Sequence, residues 1–119
     1  MKLDLSEKDG IAILELRGRL TVGTDQLLRE AIDTLLGAHR SNILLDCTEL
    51  TFMDSQGIGE LVSSMKTVKK FGGQLKILKP GKRIKDSLEL SALLPVFEIY
   101  EDTEEAIESF DQPSEETDD

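Results

Sequence analysis

The sequence predicts an α/β fold, a mixed sheet of about five strands, mainly parallel, with about four helices packed on one side. Short apolar runs of strand length alternate along the chain with longer segments whose apolar residues recur every three or four positions. The length of 119 residues suits one domain with a single core. Alternating strands and helices imply parallel strands, and right-handed crossovers that all advance in one direction place the helices on one side of the sheet.

The chain begins with a predicted β-hairpin, and a helix follows it. Residues 2–6 alternate polar and apolar side chains, an Asp-Gly pair is typical of a tight turn, and residues 11–16 form the second strand. The first strand should therefore lie antiparallel to the second. Thr24 can cap the helix, and Gly37 ends it. The apolar residues of this helix predict a face that packs on the core: Leu27, Leu28, Ala31, Ile32, Leu35 and Leu36.

Three further pairs of one strand and one helix complete the predicted fold. The strands are expected at residues 43–45, 74–78 and 96–100, and the helices at residues 58–68, 82–92 and 103–110. Loops that follow parallel strands open at the same edge of a sheet, which is where α/β folds place their sites. We therefore expect three loops to cluster there: Thr21-Val22-Gly23, Asp54-Ser55 and Lys79-Pro80-Gly81.

The negative charge of the chain is concentrated at its end. Residues 1–100 hold 14 acidic and 14 basic side chains, whereas residues 101–119 hold 10 acidic and no basic ones, which gives the net charge of −10. The last nine residues also contain no apolar side chain that could be buried. We expect residues 1–110 to form one domain and residues 111–119 to be a disordered acidic tail.

Composition also argues against several classes of protein. No apolar run approaches the roughly 20 residues that span a bilayer, so we expect no membrane insertion and a cytoplasmic setting. A run of lysines precedes Asp86, but the chain has no Trp, one Tyr and four Phe, which disfavours a nucleic-acid partner. The lone Cys47 is expected in the core. No pattern of residues indicates a metal site or a cofactor.

The most informative motif is Asp54-Ser55, where an apolar strand gives way to a helix. A serine on the first turn of a helix lies beside unpaired backbone N–H groups and the positive end of the helix dipole, a place that accommodates a phosphate. Ser55 is therefore a candidate phosphorylation site. Either residue could instead simply cap the helix, and one residue can cap in one state and be phosphorylated in another.

An enzyme that uses Ser55 as a nucleophile is disfavoured, so no catalytic residue is expected. The residues around Ser55 do not form the G-x-S-x-G pattern, and the single histidine, His39, lies at a predicted helix end. Asp54, with an ordinary aspartate pKa of about 3.9, is too acidic to act as the base for a hydroxyl.

The chain resembles the STAS domains of bacterial anti-sigma factor antagonists over nearly all of residues 1–110. The resemblance is carried by a strand that ends Leu-Arg-Gly-Arg-Leu at residues 16–20, by Ile-Leu-Leu-Asp-Cys-Thr-Glu-Leu at 43–50, by Met-Asp-Ser-Gln-Gly-Ile-Gly at 53–59, and by Gly-Gly-Gln-Leu-Lys-Ile at 72–77. It implies a STAS-like sheet and a protein that switches partners.

The resemblance also implies how such a protein works. The unphosphorylated form binds an anti-sigma factor that is a serine kinase, phosphorylation of Ser55 ends that binding, and a serine phosphatase is a further expected partner. The partner-binding residues are then expected in two places: Thr21, Val22 and Gly23 in one loop, and Asp54, Ser55, Gln56 and Gly57 at the corner.

Gln56 departs from the pattern of the family, whose sporulation and general-stress members usually have Ser or Thr there. A bulkier amide thus lies beside the candidate phosphorylation site. The alternative function is a phosphorylation-independent STAS scaffold or transporter-associated subunit, in which Ser55 would serve only as a cap.

Overall fold

The computed structural model describes residues 1–111, which form a mixed sheet and four α-helices. The elements in chain order are β1 (Lys2–Lys8), β2 (Ile11–Leu20), α1 (Asp25–Gly37), β3 (Asn42–Asp46), β4 (Leu50–Met53), α2 (Ser55–Lys70), β5 (Gln74–Leu78), α3 (Lys82–Leu90), a 3-10 turn (Leu94–Val96), β6 (Ile99–Tyr100) and α4 (Thr103–Ser109). Asp111 is exposed, and the rest of the predicted tail at 111–119 lies outside the described residues.

The sheet has the predicted hairpin and the predicted parallel strands. Its order is β1-β2-β3-β5-β6, and β4 pairs with β2 alone. β1 is antiparallel to β2, and every other pairing in the described residues is parallel. The mixed α/β fold class is therefore confirmed.

The described sheet contains six strands, and β4 is the one that the sequence did not predict. Residues 50–53 pair in parallel with the far end of β2, beyond the stretch of β2 that β3 occupies. A four-residue strand shows too little alternation to be recognised from the sequence. The last strand is also shorter than predicted, since Leu94–Val96 forms a 3-10 turn.

Three helices pack on one face of the sheet, and α4 packs on the other. Ile43 and Leu45 of β3 belong to the larger core, with buried residues of α1, α2 and α3. Leu44 lies between them in the strand and faces the opposite side, where it packs with Ile107 and Phe110. The prediction that about four helices lie on one side was therefore wrong for α4. No strand follows α4 in the described residues, so the handedness rule for crossovers does not apply to it.

A buried lysine joins α4 to the sheet. The side chain of Lys76 is 3% exposed, and its Nζ lies 3.0 Å from the carbonyl oxygen of Ser109 and 2.9 Å from the hydroxyl of Ser109. Glu98 Oε1 lies 3.2 Å away and supplies the opposite charge. The rings of Phe110 and Tyr100 flank the ammonium at 4.8 and 5.6 Å. The ammonium is therefore well paired where the last turn of α4 ends.

Cys47 is buried, and burial raises the pKa of its thiol to about 12, so it is a core residue as predicted. Within residues 1–111, none of the helices is long and apolar enough to cross a membrane.

Lys76→Ala should lower the free energy of unfolding by about 2–3 kcal/mol, because the Ser109 carbonyl would lose its partner and the buried stem would leave a gap. Urea unfolding measures the change. Lys66→Ala is the control, since Lys66 is exposed and its removal should cost less than about 0.5 kcal/mol. Equal effects of the two substitutions would show that Lys76 does not hold α4 in place.

Candidate functional site

Asp54 joins the corner before α2 to the loop that follows β2. Its backbone is extended, and its Oδ1 accepts a hydrogen bond of 2.8 Å from the backbone N–H of Gly57, so it is the N-cap of α2. Its Oδ2 accepts a second hydrogen bond of 3.1 Å from the backbone N–H of Val22. These two bonds, the one from Gly57 first, hold the pKa of Asp54 below its ordinary value. The carboxylate thus has a capping role and also brings two of the predicted partner-binding segments together.

Ser55 is the first residue of α2, and its side chain is exposed. Its hydroxyl makes no hydrogen bond to any of residues 1–111, in contrast to the carboxylate of Asp54 beside it. The positive end of the helix dipole lies at the same place, and Asp54 occupies the N–H of Gly57 in this first turn. The corner therefore presents a free hydroxyl in a setting that favours an added anion.

The loop at residues 21–23 is folded tightly against the start of α1. The hydroxyl of Thr24 accepts a hydrogen bond of 2.9 Å from the N–H of Thr21 and donates one of 2.8 Å to the carbonyl of Arg19. Gly23 has a φ of +96°, a conformation that other residues rarely adopt. Val22 stands out of this loop with 71% of its surface exposed.

The sequence predicted that Thr24 caps α1, but its hydroxyl does not do so. Thr24 occupies the N-cap position, but its side chain makes no capping hydrogen bond. Its oxygen is already engaged by the loop before the helix, which explains the difference.

Gln56 and Gly57 face different surroundings although they are adjacent. Gln56 is exposed, and its Nε2 donates a hydrogen bond of 3.1 Å to Oδ2 of Asp25, the first residue of α1. Gly57 is buried, and a Cβ placed on it would lie 1.9 Å from the carbonyl oxygen of Leu20. Gly57 therefore serves the site by letting α2 approach the end of β2.

The structure joins two of the three predicted loops directly. The hydrogen bond between Val22 and Asp54 connects the loop after β2 with the corner before α2. The Lys79-Pro80-Gly81 loop follows β5, which is parallel to β2, so it opens at the same edge of the sheet. This third loop is bonded to β6 and not to the other two loops: the N–H of Lys79 donates a hydrogen bond of 2.8 Å to the carbonyl of Tyr100.

Behind the corner lies a row of polar side chains that the sequence reasoning missed, between α1 and α2. Arg29 donates two hydrogen bonds, of 3.1 and 2.7 Å, to one oxygen of the buried Glu60. Ser64 donates a bond of 3.1 Å to the other oxygen of Glu60, and Asp25 lies 3.9 Å from Arg29. The hydrogen bonds that Arg29 donates to Glu60 raise the pKa of Arg29 above its ordinary value. We call Gln56, Asp25, Arg29, Glu60 and Ser64 the polar seam.

The sequence contained a signal for this seam. Glu60 and Ser64 occur in a buried stripe of α2 at three- and four-residue spacing with Gly57, Leu61, Met65 and Val68. A carboxylate in such a stripe requires a cationic partner from the facing helix, because an unpaired buried charge is costly.

The corner presents an exposed serine hydroxyl beside a carboxylate that is poorly suited to act as a general base. Asp54 is the carboxylate nearest to Ser55 in the chain, and its lowered pKa makes it a weaker base than an ordinary aspartate. Its oxygens are also occupied by two backbone N–H groups.

The chain is similar to known proteins along most of its length. The family model described as the STAS domain matches residues 2–106. An anti-sigma F factor antagonist from Paenibacillus polymyxa is 24% identical over 108 residues, which cover 90% of this chain and 92% of that protein. The structural likenesses below are all under 25% identical and show the fold alone.

A crystal structure of an anti-sigma factor antagonist from Mycobacterium paratuberculosis has a TM-score of 0.81 at 18% identity, covering 93% of this chain and 94% of that chain. The anti-sigma factor antagonist SpoIIAA has been solved in two states. Its unphosphorylated form has a TM-score of 0.76 at 24% identity, covering 90% of this chain and 94% of that chain. The phosphorylated form, the Bacillus cell fate determinant SpoIIAA, has a TM-score of 0.69 at 24% identity, covering 90% and 97%.

Gly57→Ala and Gly59→Ala should have opposite effects on stability. The added methyl group at position 57 would overlap the Leu20 carbonyl and should cost about 1–3 kcal/mol or more, since backbone must move. Position 59 lies in the same helix with open space around it, so alanine there should stabilise by about 0.5–1 kcal/mol. Chemical unfolding of both variants measures this. Stabilisation by both would contradict the close approach of α2 to β2.

Asp54→Asn should be less stable than the wild type at neutral pH, because one amide oxygen cannot accept both N–H groups. A carboxyl with a depressed pKa contributes stability that is fully present above its unfolded pKa of about 3.9 and is lost as the pH falls through the lower folded value. The difference between the two proteins should therefore shrink below about pH 4, as thermal unfolding across pH would reveal. A difference that stays constant down to pH 2 would show that the charge of Asp54 contributes nothing.

Proposed function

The chain belongs to the STAS domain family, and from that premise we propose that it is an anti-sigma factor antagonist that switches partners. Its unphosphorylated form binds a kinase-type anti-sigma factor and is released when that kinase phosphorylates Ser55. The observation that carries the proposal is the free, exposed hydroxyl of Ser55 at the first residue of α2, directly after the capping Asp54. The relative from Paenibacillus polymyxa that is named an antagonist supports the same role.

The charge introduced by a phosphate explains the release. A phosphoserine adds about −1.5 to −2 charges beside the carboxylate of Asp54. A partner surface that fits the neutral hydroxyl then meets both added bulk and concentrated negative charge. Since the hydroxyl of Ser55 makes no bond within residues 1–111, adding the phosphate breaks no contact of the fold. The switch therefore acts on the interface and leaves the domain folded.

Neighbouring hydroxyl groups are poorer candidates for the same modification. The hydroxyl of Thr48 is bonded to Asp46 at 2.6 Å, and that of Thr51 is bonded to a backbone carbonyl at 2.9 Å. Ser64 is buried and donates to Glu60. Ser63 is exposed but lies within α2, where a kinase would have to unwind a helical turn to bind an extended segment.

The chain works in the cytoplasm, and a serine phosphatase restores the binding form. Its partner-binding surface comprises Val22 with its loop neighbours, Asp54, Ser55 and Gln56. Gly57, which was predicted with them, is buried and contributes only through the packing of α2. The chain itself performs no catalysis: its role is to be bound, modified and released.

Unphosphorylated chain bound to a resin should capture a protein kinase from a lysate of its native host, and mass spectrometry would identify it. Incubation of the captured kinase with the chain, ATP and Mg²⁺ should add one phosphate, located at Ser55 by peptide mass. Capture of a membrane transporter or of a large non-kinase assembly would favour the scaffold function instead.

Substitutions at Ser55 should separate binding from phosphorylation. Ser55→Ala should fold, accept no phosphate and bind the captured kinase as the unphosphorylated wild type does. Ser55→Asp should bind at least about tenfold more weakly, because it places a second charge beside Asp54. Ser63→Asp is the matched control on the same helix and should change affinity by less than about threefold. Equal affinity of Ser55→Asp, the phosphorylated protein and the wild type would refute the switch.

A further inference from the structure

Gln56 is held by a buried acid although its own side chain reaches the surface. Its Nε2 lies 3.1 Å from Oδ2 of Asp25, and the side chain of Asp25 is only 7% exposed. Exposed glutamines usually rotate freely, whereas this one is attached to the first turn of the neighbouring helix. The anchor lies one residue from Ser55 and at one end of the polar seam.

The chemistry of Asp25 fixes which end of the amide faces outward. An ionised carboxylate only accepts hydrogen bonds, so the nitrogen of the Gln56 amide must face Asp25. Turning the amide over would place two oxygens against each other and lose the bond. The amide oxygen, Oε1, has no hydrogen-bond partner among residues 1–111 and is left pointing away from Asp25. Gln56 therefore offers a hydrogen-bond acceptor in a fixed position beside Ser55.

The rest of the polar seam keeps Asp25 in place. Arg29 lies one turn after Asp25 in α1, at 3.9 Å from its carboxylate, and is also bound to Glu60 of α2 at 2.7 Å. Glu60 in turn lies one turn after Gln56. The two helices are thus connected at two successive turns, by Gln56 with Asp25 and by Arg29 with Glu60. Movement of Gln56 relative to α1 would require the first of these connections to break.

We propose that Gln56 is a specificity-determining residue, whose amide oxygen accepts a hydrogen bond from a donor that the partner protein places next to Ser55, and that Asp25 is its positioning residue. This inference rests on the proposed function, because it names the group that the partner of Ser55 must carry. A serine or threonine at this position would be too short to reach Asp25 and present an acceptor at the same distance from the helix. The partner of this chain is therefore one that matches an amide at position 56.

The first measurement tests the anchor without any partner. In a ¹⁵N relaxation experiment on the wild type, the side-chain amide of Gln56 should be nearly as ordered as the backbone of α2. Nuclear Overhauser contacts from this amide to the β-protons of Asp25 should be present. Free averaging of the amide, as in an unstructured glutamine, would overturn the inference whatever the partner does.

The second measurement tests recognition, with the protein captured by the unphosphorylated chain as the probe. Gln56→Met keeps the size of the side chain but removes the acceptor, so affinity should fall about tenfold while the unfolding temperature stays within a few degrees. Unchanged affinity of Gln56→Met would overturn the inference. Failure to capture any protein would remove both the inference and the proposed function.

Exchanging the amide and the carboxylate between positions 56 and 25 tests whether Asp25 positions Gln56. A merely structural role of Asp25 would not produce a recovery of binding. Gln56→Glu places two carboxylates together, so the fixed acceptor is lost and binding should weaken at least as much as in Gln56→Met. Adding Asp25→Asn gives the glutamate a donor and should recover part of the affinity that Gln56→Glu loses, the remainder being lost to the negative charge now beside Ser55. A double variant that binds no better than Gln56→Glu would refute the positioning role of Asp25.

The outcomes separate the two proposals. If Ser55→Asp weakens binding and Gln56→Met does not, the switch stands and the inference about Gln56 fails. If Gln56→Met weakens binding and Ser55→Asp does not, the recognition of Gln56 stands and the phosphorylation switch fails.

Discussion

The corner that carries Ser55 depends on one carboxylate that accepts hydrogen bonds from two different segments. Asp54 caps α2 through Gly57 and holds the preceding loop through Val22, with one oxygen for each. A serine or asparagine cap would satisfy the helix but would leave the loop unattached, because each has a single suitable oxygen acceptor. The residue before Ser55 must therefore be acidic for reasons of structure as well as of charge. Its lowered pKa reflects those same two bonds.

Two kinds of packing hold α2 against its neighbours. At Gly57 the helix approaches the carbonyl of Leu20 so closely that any side chain would be excluded. Along its other buried positions it packs through Leu61, Met65 and Val68, interrupted by the paired charge of Glu60. Apolar contacts alone would tolerate some sliding of one helix on another. The hydrogen bonds of the polar seam fix one register of α2 against α1, and so fix the surroundings of Ser55.

The sequence predicted the regular helices and strands and the corner at Asp54 and Ser55. It did not predict the features that depend on contacts between segments far apart in the chain. Periodic apolar residues revealed α1, α2 and α3, and the Asp-Gly turn revealed the hairpin. The position of α4 could not be derived from crossover handedness, although the unbroken apolar run at Ile43, Leu44 and Leu45 indicated a strand covered on both faces. At the site, the cap at Asp54 followed from local rules. The bonds from Val22 to Asp54 and from Gln56 to Asp25 join residues more than 30 positions apart, and no local rule predicts them.

Apart from the dipole at its first turn, α2 offers little positive charge to a phosphate at Ser55. Lys66 and Lys70 lie about 16 and 22 Å along the helix from Ser55, at a rise of about 1.5 Å per residue. Both distances exceed the Debye length of about 8 Å at physiological ionic strength, so these lysines would barely reduce the charge that a partner meets. Arg29 is the cation of the polar seam and is already bound to Glu60. An added phosphate would thus act together with Asp54 as a concentrated negative site that the lysines of α2 do little to offset, and the proposed switch would act mainly at the partner's surface.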